Sequence, residues 1–297
     1  MKILLFGKDG RLGTELQRSL ATLGKVVALN RGSADLCGDL AKPTAIYESV
    51  ISVAPQVIVN AAAWTDVEKA EDSPEVARKI NVLAPAAMAE AAARLGARLV
   101  HYSTDYVFDG SGSEPWTEED SPHPLNSYGA GKFEGEVKVA TTCPDHLIFR
   151  TSWLYSSKRH GFAQHVLSQA MGQMNIAVVN DQIGSPTGAD WLADMTAHAL
   201  RVIQSGQMGL AGVYHLAASG FISRHGYARF LLECAQREGW KLKSVAEAVQ
   251  AVSSNDYPSA VKRPQNARLD TSKFEAAFGC SCPPWQDGVK GFVRNLK

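Results

Sequence analysis

The chain has 297 residues, 45% of them hydrophobic and 20% charged. That length predicts one large domain or two small ones, and the composition is that of a globular protein with a real core, which excludes a disordered chain, a collagen-like repeat or a disulfide scaffold. The 30 basic residues balance the 30 acidic ones, so the charge gives no reason to expect nucleic acid or a membrane surface as partner.

The cysteines, Cys37, Cys143, Cys234, Cys280 and Cys282, are odd in number and show no zinc spacing, which predicts reduced thiols. The apolar start Ile3-Leu4-Leu5-Phe6 is too short for a signal-peptide core. No apolar run reaches the roughly 18 residues of a membrane span. The expected location is the cytoplasm.

Strand and helix signals alternate through the first half. Ile3–Phe6 reads as a strand buried on both faces, and Leu12, Leu16, Leu20 and Leu23 then recur at helical spacing. Val26–Leu29 reads as a second strand, followed by a helix after Pro43. Val57–Val59 is a third strand. Residues 74–96 read as a helix ending at Gly96, with a kink or break at Pro85. Leu99–Tyr102 is a fourth strand, a helix spans about 127–141, and Leu147–Phe149 is a further strand. This alternation predicts an α/β protein: a Rossmann-type, doubly wound parallel sheet over residues 1–150 with helices on both faces. The second half, 151–297, reads as a smaller α+β substrate lobe with helices near 161–174, 188–205 and 223–238 and strands near 176–179 and 213–216. Some of its segments are free to return to the main sheet. Met171 and Met174 read as helix core.

In such sheets ligands sit beyond the carboxyl ends of the strands, and each motif below follows a proposed strand. Gly7-Lys8-Asp9-Gly10-Arg11-Leu12-Gly13 joins the first strand to the first helix. A dinucleotide pyrophosphate needs a tight turn, a close backbone and free N–H groups at a helix start. Gly7, Gly10, Arg11, Leu12 and Gly13 are therefore candidate cofactor residues. The second strand ends in Asn30-Arg31, where Asn30 can bond ribose and Arg31 a 2′-phosphate. No carboxylate stands there in sequence, so NADPH is favoured and NADH tolerated. Asp39 and Leu40 can meet adenine, and Ala62, Ala63, Trp64 and Thr65 follow the third strand with small residues that let a flat ligand lie close.

The fourth strand runs into Ser103-Thr104-Asp105, and Tyr128 and Lys132 share one face of the later helix. The lysine charge is expected to lower the phenol's pKa, giving a proton donor and acceptor. Lys132 can also bond nicotinamide ribose. Thr104, Tyr128 and Lys132 are the candidate catalytic set. No His-Glu-x-x-His spacing and no Gly-x-Ser-x-Gly elbow occurs, which leaves metal-based and serine hydrolysis without support. His101 reads as a packed core histidine.

With Gly7–Gly13, Asn60–Thr65 and the following Asp66–Glu71, Ser103–Gly110, Tyr128–Lys132, Arg150–Tyr155 and Arg263–Asn266, the chain resembles the extended short-chain dehydrogenase/reductase family along nearly its whole length. The resemblance implies hydride transfer from NAD(P)H to the C4 carbonyl of a nucleotide-linked keto sugar. It implies that Tyr128 protonates the new alkoxide, that Lys132 orients the cofactor and that Thr104 holds the C4 oxygen. Thr104, Asp105 and Trp153 would line the sugar site. Arg263, beside Pro264, has two readings, a contact to a diphosphate or a solvated loop charge, and is not counted among the site residues. Sugar dehydratases of the family carry Asp-Glu after the strand-end threonine; here Tyr106 follows Asp105, so reduction is expected instead of elimination. The resemblance also implies a homodimer bridged by magnesium, with Asp190 as one ligand, although residues 288–297 hold no carboxylate. Two other readings stay open: a non-catalytic subunit resembling the regulatory subunit of methionine adenosyltransferase, and an extended-family oxidoreductase acting on another sugar.

Overall fold

A computed structural model describes residues 1–256 and 261–296. The strands β1 (Lys2–Phe6), β2 (Lys25–Leu29), β3 (Val57–Asn60), β4 (Arg98–Thr104) and β5 (His146–Thr151) lie in one parallel sheet. A sixth strand, Gly212–His215, leaves the second half of the chain and adds to the β5 edge, giving the order Gly212–His215, β5, β4, β3, β1, β2. The chain moves outward from β1 to β2 and then returns to β3. The direction reverses between β1 and β3, and a ligand crevice is expected at their carboxyl ends.

The period of two in β1 decides which helices cover which face. Ile3 and Leu5 join a core with Leu12, Leu16 and Leu20 of α1 (Arg11–Leu20) and with Leu192 and Leu200 of the helix Ala189–Gln204. Leu4 and Phe6 point the other way, against Ile46 and Val50 of α2 (Pro43–Val53) and against Met88 and Ala92 of α5 (Ala84–Leu95). All four of these β1 residues are 0% exposed, as a doubly covered strand requires. Ser19 and Arg18 of α1 both bond Asp194, at 2.5 and 2.8 Å. The second half of the chain is thus woven into the first.

Between α3 (Val67–Asp72), α4 (Pro74–Arg78) and α5 runs a π-helical turn, Lys79–Leu83. The sequence predicts a break near Pro85, and this is the form it takes. Pro85 has no N–H to offer the carbonyl of Asn81, four residues back. The Ala84 N–H instead reaches Lys79 O, five residues back. The widened turn carries Asn81 inward.

Helix α6 (Ser127–Thr142) begins at an Asn126 cap whose Oδ1 accepts from Gly129 N at 2.8 Å. Glu71 holds both the N–H and the hydroxyl of Ser127. Further along, Glu136 forms a two-pronged bond to Arg150 of β5, Nε to Oε1 at 3.0 Å and Nη2 to Oε2 at 2.7 Å. Both residues are buried, and the guanidinium also lies over Phe108.

In the remaining lobe the helices Phe162–Gly172, Arg224–Arg237 and Trp285–Asn295 pack around Tyr227, Leu231, Val289 and Phe292. Short strands Ile176–Val179 and Val249–Val252 pair in parallel beside them. Met171 and Met174 are 44% and 71% exposed, so the expectation that they belong to a helix core is incorrect. The helix ends at Gly172 and turns both methionines outward. Among the described residues no helix is long and apolar enough to cross a membrane.

Removing one partner of a buried ion pair leaves the other charged and uncompensated, at a cost of about 3–5 kcal/mol. Glu136→Ala is expected to lower unfolding free energy by about that amount, measured by urea denaturation.

Candidate active site

Beyond β1, Gly7 has φ +86°, and a Cβ there would lie 2.8 Å from Ala62 N. A Cβ on Gly13 would lie 1.9 Å from Gly7 O. Glycine is therefore required sterically at the turn and at the helix–turn contact. Helix α1 opens at Gly10 with no side-chain cap and no acidic residue in its first turn. Its leading N–H groups and positive dipole end suit an anion. These residues fit a dinucleotide diphosphate. Leu12 is buried beneath the loop, and the Arg11 guanidinium bonds the carbonyl of His160, tying the loop to the second lobe.

Beyond β2, Asn30 caps its own loop by accepting from Gly32 N at 3.0 Å and Ser33 Oγ at 3.1 Å. Its amide donates to Asp9 Oδ2 at 2.5 Å. The sequence reading places no carboxylate at this corner; the fold brings one in from the glycine loop. Arg31 is exposed beside it, Leu40 is buried, and Asp39 accepts from Ala41 N.

Beyond β3, Asn81 of the π-turn clamps Trp64 through both backbone groups, accepting from its N–H at 2.9 Å and donating to its carbonyl at 3.0 Å. Asn60 Oδ1 accepts from Ala62 N at 3.2 Å. Ala63 and Thr65 complete the segment, Ala63 half-buried and Thr65 exposed. Sequence reasoning overlooked Asn60 and Asn81 as organisers of this stretch. The available signal was an asparagine ending a strand and another four residues before a proline.

Beyond β4, the Thr104 side chain caps the turn Asp105–Val107 and accepts from Tyr106 N at 3.2 Å. Its hydroxyl donates to Asp105 Oδ1 at 2.9 Å. The sequence-predicted Thr104 and Asp105 are thus bonded to each other, and both influence the nearby Tyr128 phenol. Tyr106 stands edge-on to Tyr128, with ring centres 5.5 Å apart.

Lys132 Nζ donates to Tyr102 O at 2.6 Å and lies 3.3 Å from His101 Nε2. His101 Nδ1 is 3.1 Å from Asn60 Nδ2. His101 is buried as expected, yet it is also a polar link between the β3 loop and Lys132. Burial lowers the Lys132 pKa to about 8, partly offset by Glu136, and holds His101 well below its usual value, helped by the Lys132 charge. The Tyr128 phenol is pushed up, first by burial, with Thr104 opposing the shift. The expectation that Lys132 depresses this pKa is therefore corrected: the ammonium is aimed at Tyr102 O, and desolvation dominates.

Trp153 follows β5 with φ +46°, a strained conformation for a bulky residue. Its ring carries Arg224 at 3.7 Å, and Arg224 also lies 4.9 Å from the Phe162 ring centre. The predicted sugar platform is in this structure part of an aromatic–cation stack. Arg224 was not singled out from the sequence, because a helix-start arginine carries no motif. It lines a cavity of about 940 Å³ with Gln169, Gln182, Lys262 and Arg263. Arg263 pairs with Glu68, and its charge lies near the Tyr106 phenol.

Asp190 and Asp287 line a separate cavity of about 140 Å³. Among the described residues no group of three or more His, Cys, Asp or Glu side chains could hold a metal ion, so the magnesium expectation gains no support here.

A glycine loop at the sheet's reversal point and a Tyr–Lys helix beside a strand-end threonine define a dinucleotide-dependent oxidoreductase of the short-chain dehydrogenase/reductase type. Over residues 1–297 the sequence matches the family model described as RmlD substrate binding domain, and the chain belongs to that family. It is 47% identical to the dTDP-4-dehydrorhamnose reductase of Escherichia coli K12 over 296 residues, covering 100% of this chain and 98% of that protein. The crystal structure of a dTDP-4-dehydrorhamnose reductase from Clostridium acetobutylicum superposes with TM-score 0.90 at 31% identity, covering 100% of this chain and 99% of that one. The Bacillus anthracis dTDP-4-dehydrorhamnose reductase in complex with NADP gives TM-score 0.88 at 29% identity, with 99% of each chain covered.

A Cβ on Gly129 would lie 2.2 Å from Tyr106 O, whereas one on Gly131 meets only Asn81 Cβ at 3.8 Å. Gly131→Ala should stabilise the protein by about 0.5–1 kcal/mol through helix propensity. Gly129→Ala should destabilise it by about 1–3 kcal/mol despite the same propensity gain. Thermal denaturation of the two variants distinguishes the outcomes by sign.

Proposed function

We propose that this protein reduces the C4 carbonyl of dTDP-4-dehydro-β-L-rhamnose to the alcohol of dTDP-β-L-rhamnose, with NAD(P)H as reductant. The observation that carries the reading is the gathering of Thr104, Asp105 and Tyr128 at the end of β4, on a chain that matches the named reductases over its full length. Nothing in the comparisons favours a regulatory-subunit role.

The bound dinucleotide would supply the hydride. Gly7, Gly10, Arg11, Leu12 and Gly13 hold its diphosphate, and Asn30, Arg31, Asp39 and Leu40 flank the adenosine end. Ala62, Ala63, Trp64 and Thr65 line its path toward Tyr128 and Lys132. Tyr128 keeps its proton at neutral pH because burial raises its pKa, and a retained proton is what an alkoxide at C4 requires. Lys132 holds the ribose from a position fixed by Tyr102 O and His101. Thr104 and Asp105 meet the sugar, and Trp153 bounds the same site. The guanidinium groups of Arg224 and Arg263 and the Lys262 ammonium give the 940 Å³ cavity the charge a nucleoside diphosphate needs.

Elimination would require a second carboxylate where Tyr106 stands, and reduction requires none, which supports a reductase over a dehydratase. NADPH is the preferred donor in this reading, with NADH accepted, because Arg31 is exposed and free to meet a 2′-phosphate.

Purified protein offered dTDP-4-dehydro-L-rhamnose and NADPH should oxidise the cofactor, read as loss of nicotinamide absorbance. Failure to consume it would remove the reading. Tyr128→Phe should keep cofactor affinity and lose about 10²–10⁴ in kcat. Arg31→Ala should weaken NADPH binding about tenfold, roughly one charge-assisted hydrogen bond, and leave NADH binding unchanged. An equal loss for both cofactors contradicts a 2′-phosphate role.

A further inference from the structure

Three buried side chains from three elements stand in a row: Asn60 at the end of β3, His101 in β4 and Lys132 in α6. Asn60 and His101 are register partners in the sheet. Asn60 Nδ2 lies 3.1 Å from His101 Nδ1, and His101 Nε2 lies 3.3 Å from Lys132 Nζ. Lys132 also donates to Tyr102 O at 2.6 Å.

Counting donors along the row places its hydrogens. The Ala62 N–H can only donate, and it lies 3.2 Å from Asn60 Oδ1. That contact fixes which way round the Asn60 amide sits, so its NH2 group faces His101 Nδ1. Nδ1 must then accept. A neutral imidazole carries one hydrogen, and burial keeps His101 neutral. The hydrogen is therefore on Nε2, directed at Lys132 Nζ. An ammonium has three hydrogens and no acceptor, so it would set donor against donor at 3.3 Å. Moving the imidazole hydrogen to Nδ1 sets it against the Asn60 NH2 group. Turning the Asn60 amide over as well sets that group against Ala62 N. An amine has two hydrogens and a lone pair. It accepts from His101 Nε2 and donates to Tyr102 O, and every contact in the row is satisfied.

We propose that Asn60 and His101 are positioning residues for Lys132: they fix the imidazole hydrogen on Nε2, aim it at the lysine, and so present a neutral amine to the dinucleotide. This inference rests on the cofactor reading above. Ala62, whose N–H orients the Asn60 amide, is also the residue that a Cβ on Gly7 would strike. The turn of the glycine loop and the lysine are thus joined through one row of hydrogen bonds.

Among the described residues few charges face this row. Glu136, one turn along α6, favours the ammonium, but Arg150 already holds its carboxylate with two prongs. Tyr102 turns its phenol to Thr196 and gives Lys132 only its carbonyl. Burial brings Lys132 down to about 8 with Glu136 opposing, and the hydrogen from His101 favours the amine further. The negative charge of a bound dinucleotide acts the other way. At a pH between the free and bound midpoints, binding therefore draws one solvent proton onto Nζ and turns the amine into an ammonium.

The test is a carbon-13 NMR titration of the whole protein labelled at lysine Cε, with the Lys132 signal assigned by its absence in Lys132→Met. The expected midpoint lies below about 8, and a midpoint at or above that value overturns the proposal. Nitrogen-15 spectra of histidine-labelled protein read the tautomer, with His101 assigned by its absence in His101→Phe. The hydrogen is expected on Nε2, and finding it on Nδ1 overturns the proposal. Asn60→Ala removes the donor that holds this tautomer. It should raise the Lys132 midpoint by about one pH unit, the worth of one net hydrogen bond; an unchanged midpoint overturns the proposal. Should that variant fold poorly, His101→Phe carries the same comparison with the same expected rise. Added NADP⁺ should raise the wild-type midpoint, and no rise with the cofactor bound overturns the claim that the dinucleotide meets an amine. Binding itself is read by calorimetry. Its absence counts against the cofactor reading, and the titration of the free protein decides the proposal without it.

Discussion

Helix α6 lies so close to its neighbours that two of its residues have no room for a Cβ: Gly129 against the carbonyl of Tyr106 and Gly135 against the carbonyl of Asn81, each at 2.2 Å. Glycine inside a helix costs about 0.5–1 kcal/mol relative to alanine. That cost is accepted where backbone must meet backbone, and the consequence is positional. Gly129 sets the first turn of α6 against the turn after β4, so Tyr128 stands edge-on to Tyr106. Gly135 sets the next turns against the π-turn, whose Asn81 carbonyl is left without its helical partner by Pro85. The same π-turn clamps Trp64. One packing constraint thus fixes the phenol, the ammonium and the wall of the cofactor crevice together.

Within that frame desolvation governs the proton positions. Tyr128, Lys132, His101 and Asp105 are all shifted toward their neutral forms, and burial is the first cause in each case. Charged neighbours are secondary: they add to the shift at His101 and Tyr128 and oppose it at Lys132 and Asp105. A phenol that holds its proton suits a reaction that ends by protonating an oxygen, and it does so without an ammonium pressed against it. Lys132 is instead pinned by Tyr102 O and His101, which fixes the position of its Nζ.

Much of this was legible in the chain itself. Ile3–Phe6 followed by three spaced glycines identifies a buried strand turning tightly into a helix, because both faces of β1 are covered and only glycine fits the turn. Thr104, Asp105, Tyr128 and Lys132 could be named because strand ends and helical spacing say which residues project toward one place. The positions of Met171 and Met174 were misread, since an apolar spacing near a helix end does not reveal where the helix stops. Asp9 at the Asn30 corner, Arg224 on Trp153 and Asn81 at Trp64 left no periodic signal at all. Each is a contact between segments distant in the chain, and local pattern carries no information about such pairs.

The sequence by itself determined the alternation of strands and helices, the glycine positions and the identity of the candidate site groups, because these follow from side-chain periodicity and from the steric needs of single residues. Only the tertiary structure decided their protonation and the direction of their hydrogen bonds. Those depend on how much water is excluded and on which distant groups arrive beside them, and both are properties of the packed chain.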